Sequence, residues 1–275
     1  MLSYRRIFHP TDFSPSEQAA FVHAMKLTCL ARAELKIMHV DSAIGREDFE
    51  DFPRIRPLLT RWGLLPEGST KEDVSTLGIQ ITKVRTVDED ASAALLRHLA
   101  LHPADLLVLS THQREGLARL THQIVAEPVA RGAHAKTLFL PAGVAGFVSP
   151  ENGASSLSRI LIPVSQQPNA QPAIDAAVEL VASLGCEKVL FELVFLGSDE
   201  DFPRLKMPEQ PGWTWERLIA KGNPADWILA AGKDFDVDLI VMVTEGHKSI
   251  IEVLRGSTTE RVLRSARAPL LAIPT

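Results

Sequence analysis

The chain has 275 residues, of which 45% are hydrophobic and 23% charged; that is enough apolar material for a buried core, with length for two domains. A net charge of -5 excludes a nucleic-acid binder that works through bulk positive charge, because phosphate binding needs a basic face. Two cysteines, Cys29 and Cys186, are too few for a disulfide framework and show no CxxC spacing, which favours inert buried thiols.

The opening segment, residues 1–13, has no long apolar stretch of the signal-peptide kind, and no run approaches the roughly 20 apolar residues of a membrane span. A cytoplasmic protein with no membrane and no nucleic-acid partner is the expectation. Short apolar runs then follow near 5–10, 34–40, 79–85, 105–110 and 136–141, with helical patterns between most of them. A segment rich in Gly, Ser and Ala, 142–157, reads as a linker. A second series of runs lies near 158–163, 188–195, 213–219, 237–243 and 268–274. Near-continuous apolar strands alternating with helices predict parallel sheets covered on both faces. In the second half, residues 196–212 carry Gly197, Pro203, Pro208 and Pro211, so a loop or one helical turn is expected there in place of a crossover helix.

The chain also repeats itself. Residues 7–10 recur as 160–163, a shift of 153, and the next helix keeps that shift: Ala20, Ala24, Leu27 and Leu30 against Ala173, Ala177, Leu180 and Ser183. Later landmarks shift by 133: Asp105 falls on Asp238, Thr111 on Thr244, Glu127 on Glu260, Val129 on Val262 and Arg131 on Arg264. The first half therefore carries about 20 extra residues, in a polar, proline-bearing stretch around 42–78. The expected organisation is a domain over 1–141, the linker 142–157, and a second domain over 158–275.

The segment from Pro10 to Ala24, the closing segment from Asp105 to Val129, and its counterpart from Asp238 to Pro274 resemble the start and end signatures of universal stress protein domains. The resemblance covers both halves and leaves out the linker and the 42–78 stretch. It implies an α/β fold of the adenine nucleotide alpha hydrolase-like type: two tandem open five-stranded parallel sheets, order 3-2-1-4-5, flanked by helices. It also implies that domains pair through their last strands. Here the two halves are expected to pair with each other across a pseudo-twofold axis, with a further homodimer and an unidentified protein partner left open.

In the nucleotide-binding branch of that family, an Asp after strand one meets the nucleoside, and a Gly-x2-Gly-x9-Gly-[Ser/Thr] loop after strand four holds the phosphates. Glycines let backbone N–H groups approach phosphate oxygens without an intervening Cβ, and the next helix N-terminus adds a favourable dipole. In the first half the motif positions are Ser110, Gln113, Gln123 and Ile124, so the loop is lost, while Asp12 keeps the nucleoside position. Asp12 also reads as a turn or helix-start residue accepting backbone N–H bonds. In the second half the positions are Val243, Gly246, Gly256 and Ser257, followed by Thr258, so three of four are kept. Ser257 with Glu260 also reads as a helix capping box, and Gly246 as a turn glycine. Ser165 stands where the nucleoside Asp would be and can hydrogen-bond but carries no charge.

Other residues carry weaker signals. His98 and His102 share a helix face but lack a third metal ligand, and a helix C-terminus favours His through its dipole. Trp213, Trp215 and Trp227 read as core or interface packing. The chain shows no G-x-S-x-G elbow, Walker loop or HExxH, so no positive case for turnover exists. Two functions follow: a stress-response or regulatory protein without evident catalysis, or a binder of ATP or AMP working through the second half.

Overall fold

The apolar runs become strands, in parallel order within each half. A computed structural model describes residues 2–42, 49–111, 126–234, 236–244, 261–262 and 265–275. The first half runs β1 (Arg6–Pro10), α1 (Gln18–Ala31), β2 (Glu34–Asp41), α2 (Ile55–Arg61), α3 (Lys71–Ser75), β3 (Gln80–Val87), α4 (Ala91–Leu101), β4 (Leu106–Thr111), α5 (Ala126–Ala133) and β5 (Lys136–Pro141). The second runs β6 (Arg159–Val164), α6 (Gln171–Leu184), β7 (Val189–Leu196), β8 (Trp213–Ala220), α7 (Pro224–Asp234), β9 (Leu239–Thr244) and β10 (Leu270–Pro274). Between β7 and β8 only a single 3-10 turn, Asp199–Asp201, interrupts the loop.

Among the described residues the ten strands form one sheet, in the order β3-β2-β1-β4-β5-β10-β9-β6-β7-β8. Each half counted alone therefore has the order 3-2-1-4-5. The two five-stranded units are fused edge to edge. At the seam β5 and β10 pair antiparallel, with Leu270 opposite Phe139, Leu271 opposite Leu138 and Ala272 opposite Thr137. All six of these residues are buried. An open edge made of such residues would leave unpaired backbone groups beside apolar side chains, so closure of the seam removes both costs.

The antiparallel seam has a geometric result. Strands of the two halves run in opposite directions, so their carboxyl ends lie at opposite margins of the sheet.

One face of the sheet is covered by α1 and α6. Their buried residues, including Ala24, Met25, Ala177 and Val181, join a single apolar layer spanning both halves. The other face carries α4 and α7 over Leu107, Leu109, Leu161 and Ile240. Burial on both faces is what parallel strands require, and it explains why these runs show no polar alternation.

Two local devices repeat across the halves. Asp105 Oδ2 accepts the N–H groups of Arg5 (2.8 Å) and Arg6 (2.9 Å), and Asp238 Oδ2 accepts those of Ser158 (2.8 Å) and Arg159 (2.9 Å). Each carboxylate ties the start of the fourth strand of its half to the start of the first. Partial burial opposes ionisation of Asp105, but the two backbone donors and Arg6 together hold its carboxyl below the usual range. The helices α1 and α6 both end on a left-handed residue, Arg32 at φ 50 and Gly185 at φ 70.

Residues 142–157 are packed against both the first helix and the 42–78 stretch. Phe147, Val148 and Leu157 are buried. The buried His23 accepts the Phe147 N–H at Nε2 (3.0 Å), and its Nδ1 donates to the Ala19 carbonyl (2.7 Å). Gly146, at φ 73, lies so close that an added Cβ would come within 2.4 Å of the His23 ring. Trp62 Nε1 donates to the Pro150 carbonyl (3.3 Å). The 42–78 stretch, polar in sequence, also buries Phe52, Leu58, Leu59 and Leu65. The Thr70–Asp73 capping box starts its second short helix. Trp215 stacks on Phe191 at 4.1 Å and Trp213 meets it edge-on at 5.5 Å, so both pack on the core layer. Among the described residues no helix is long and apolar enough to cross a membrane.

Candidate functional site

In an open sheet of this order, the crevice lies outside the carboxyl ends of the first and fourth strands, where strand order reverses. In the first half that place is the turn leaving β1. Thr11 N donates to the Met38 carbonyl (2.9 Å), which keeps the chain against β2 for one residue past the end of β1. Asp12 is exposed, and its Oδ1 accepts the Ser14 N–H (2.8 Å). This is an Asx turn; it does not cap α1. Phe13 takes a positive φ of 61, which turns the chain sharply toward the 3-10 turn Pro15–Glu17.

That turn places Phe13 against the neighbouring strand end. Its ring stacks on His39 at 4.0 Å and meets Phe52 edge-on at 5.0 Å. The Arg85 guanidinium lies 5.8 Å over the same ring. His39 is fixed in turn: Nδ1 donates to the Thr11 carbonyl (2.7 Å) and Nε2 lies 3.2 Å from Asp41. Asp41 takes a bidentate pair from Arg85 at 2.7 and 3.0 Å, and Arg85 reaches Asp51 at 3.7 Å. The Arg85 hydrogen bond is the chief cause holding the Asp41 carboxyl below its ordinary value, with His39 adding to it. Ser110, at the position of the first motif glycine, donates to the Ser16 carbonyl (3.3 Å) and so ties the end of β4 to this turn. The carboxyl ends of β1 and β2 are thus covered by the chain's own aromatic and charged side chains.

Beneath the turn lies a buried pair of titratable groups. His9 is fully enclosed; its Nδ1 donates to the Val108 carbonyl (2.9 Å), and its Nε2 lies 4.0 Å from Oε2 of Glu17. Neither of those two facing atoms has a hydrogen-bond partner. Burial lowers the His9 pKa to about 4 and, aided by Asp12, raises that of Glu17 to about 8. At neutral pH the pair is therefore an uncharged imidazole facing a protonated carboxyl. Next to Glu17 opens a cavity of about 440 Å³ between the start of α1 and residues 51–61.

In the second half, Ser165 follows β6, is exposed, and donates through Oγ to the Pro168 carbonyl (3.0 Å). Val243 sits at the end of β9, partly buried. Gly246, Gly256, Ser257 and Thr258 lie outside the described residues, as do Gln113, Gln123 and Ile124 of the first half. Asp12 and Ser165 stand at opposite margins of the sheet and do not share a site. Among the described residues no three His, Cys, Asp or Glu side chains are grouped to hold a metal. His98 and His102 lie 4.7 Å apart, with His98 stacked on Phe8 at 5.8 Å.

Sequence reasoning missed Glu17, His39, Asp41, Asp51, Phe52 and Arg85. Only the paired aromatics Phe49 and Phe52 inside an otherwise polar stretch offered a signal.

The model of the universal stress protein family matches residues 3–141 and 198–274, more than half of the chain. Two universal stress proteins of Methanocaldococcus jannaschii are 32% identical over 65 residues and 35% identical over 68. These matches cover 24% and 25% of the chain and 40% of each relative, so the chain aligns with well under half the length of the curated relatives it matches. A crystal structure of a universal stress protein from Archaeoglobus fulgidus superposes with a TM-score of 0.63 at 15% identity, covering 99% of both chains. The cytoplasmic domain of a prokaryotic cation chloride cotransporter also superposes, with a TM-score of 0.52 at 12% identity, over 98% of this chain and 94% of that one. At such identities both show the fold alone, and the second is a reminder that this fold serves more than one role. By its family match and its curated relatives, the chain belongs to the universal stress protein family.

Proposed function

We propose that this chain is a cytoplasmic stress-response protein of the tandem type, in which the first half serves as a regulatory scaffold and the second half holds the only nucleotide site. The observation that carries this reading is the packed aromatic group at the turn leaving β1. Phe13, His39 and Phe52 pack together at the ends of β1 and β2, and Ser110 is spent on the Ser16 carbonyl. A nucleoside entering there would have to displace that packed aromatic group. Loss of the motif glycines to Gln113 and Gln123 removes the phosphate loop as well.

The second half keeps loop residues that the first has lost. Its sequence keeps Gly246, Gly256 and Ser257 with Thr258 next, and the residue after β6, Ser165, is exposed and uncharged. These features favour binding of an adenine nucleotide, ATP or AMP, with weaker support at the nucleoside than a carboxylate would supply. Titration calorimetry of the full chain with ATP and with AMP, with and without Mg²⁺, tests the reading. One binding event per chain is expected, abolished by Gly256→Val and unaffected by Asp12→Asn. Loss of binding with Asp12→Asn, or two equivalent events, would place a site in the first half and defeat the assignment. No heat at all would leave the stress-response role without a nucleotide.

A further inference from the structure

The cavity between the start of α1 and residues 51–61 carries no role in the reading above. Its floor is apolar, from Phe21, Val22 and Leu58. Two arginines, Arg54 and Arg61, stand at its exposed side. Among the described residues neither has an ion-pair partner, whereas Arg85, Arg97 and Arg261 all do. Glu17 lies at the inner end, with its buried Oε2 facing His9 Nε2 at 4.0 Å and without a hydrogen-bond partner. A volume of about 440 Å³ is within the range that small-molecule sites occupy.

We infer that this cavity is a binding site for a small amphipathic carboxylate, whose apolar body lies on Phe21, Val22 and Leu58, whose carboxylate pairs with Arg54 and Arg61, and which receives a hydrogen bond from the Glu17 carboxyl. Three independent features converge on that chemistry. The apolar floor selects a hydrocarbon or aromatic body. Two unpaired guanidiniums at one opening select an anion, and their fork geometry suits a carboxylate. A carboxyl kept protonated at neutral pH is a donor, and an anionic oxygen is the acceptor that gains most from it.

The site is distinct from the nucleotide site proposed for the second half. It lies on the α1 side of the sheet in the first half, where Thr11, Phe13 and Ser14 of the turn leaving β1 also line it, whereas the retained glycine motif belongs to the second half. It is also built partly from the stretch by which the first half exceeds the second, so the second half has no counterpart. The charged and titratable groups around Glu17 are His9 on β1, Asp12 in the turn, and Asp51, Arg54 and Arg61 on the facing segment. His9 is neutral and at 4.0 Å does not bond to Glu17, and Asp12 favours the protonated form of Glu17. The Glu17 proton is therefore available to a ligand below pH 8 and is lost above it.

The test uses the full chain and a matched pair of probes, naphthalene-1-acetate and its neutral amide, followed by amide-resonance shifts. The acid is expected to shift Glu17, Phe21, Val22 and Leu58, and the amide to bind about tenfold or more weakly. Arg54→Ala with Arg61→Ala, both at exposed positions that leave the core intact, should bring the acid down to the level of the amide. Acid affinity should fall as pH passes about 8, and Glu17→Gln, which keeps a donor, should flatten that dependence. Equal binding of acid and amide, shifts confined to other residues, or affinity untouched by the arginine changes would overturn the proposal. Displacement of the acid by ATP would overturn a separate site. A flat pH profile in the unmodified chain would overturn the role given to Glu17. None of these outcomes depends on whether the second half binds a nucleotide.

Discussion

The buried pair His9 and Glu17 makes stability depend on pH in a way that one substitution should expose. Glu17 holds its proton up to about pH 8 when folded, against 4.5 ordinarily. The folded state therefore binds more protons than the unfolded one between those values, and this group's contribution falls as pH rises through that window. His9 and His23 behave in the opposite sense. Burial lowers both from 6.5 to about 4, so their contribution is present above 6.5 and is lost as pH falls toward 4. Below 6.5 the two imidazoles outweigh the single carboxyl; above 6.5 Glu17 outweighs the imidazoles, whose own contribution is complete by about pH 7.5. Stability should thus peak near pH 6.5 and decline toward pH 8. One pKa unit corresponds to about 1.4 kcal/mol; between pH 6.5 and 8 the Glu17 contribution falls by about 1.6 kcal/mol while the two imidazoles still add about 0.8, so the net decline is about 1 kcal/mol. Urea unfolding followed by tryptophan fluorescence at pH 6.5 and 8 measures it. Glu17→Gln cannot ionise and should abolish the decline, leaving the small rise due to the two imidazoles, whatever its own baseline. An equal decline in the variant, or none in the unmodified chain, would refute the assignment of a protonated Glu17.

Three further changes test the scaffold. Gly146→Ala adds a Cβ within 2.4 Å of the His23 ring at a backbone φ of 73. Left-handed strain and loss of the Phe147 hydrogen bond together should cost about 3 kcal/mol, read as a lower urea midpoint. Asp238→Ala leaves the N–H groups of Ser158 and Arg159 without their acceptor. It should cost about 1–2 kcal/mol, with hydrogen exchange rising first at those two amides. Gly185→Ala meets no atom within 4 Å, so only backbone strain is added at φ 70, and a loss of about 1 kcal/mol is expected. A loss well above that would mean that the terminus of α6 packs more tightly than it stands here.

The strands were legible because parallel strands buried on both faces read as unbroken apolar runs. The 153-residue shift between Ile7 and Ile160 and the 133-residue shift between Asp105 and Asp238 located the two halves. The same Asp105–Asp238 match hid its own reason, since acceptance of two N–H groups across about a hundred residues leaves no local pattern. The seam was expected only from family resemblance. Leu270 and Phe139 are as apolar as any core pair, and nothing in their spacing states that they face each other. The first-half crevice was read through Asp12, yet the side chains that cover it come from four separate segments: Phe13, His39, Phe52 and Arg85. Composition misled at 42–78, where charged and proline residues outnumber the buried apolar anchors Phe52, Leu58, Leu59, Leu65 and Val74 that fix the stretch to the core.

The β5–β10 seam bears on how such a chain diverges. In a dimer of identical subunits a substitution appears in both copies, so a change that closes one pocket closes its twin. Here the two partners share one polypeptide but not one sequence, and their mutual concentration is set by the tether, whatever the abundance of the protein. A packed aromatic group could therefore replace a ligand crevice on one side while a glycine motif persisted on the other. Neither change required a second gene product to follow suit.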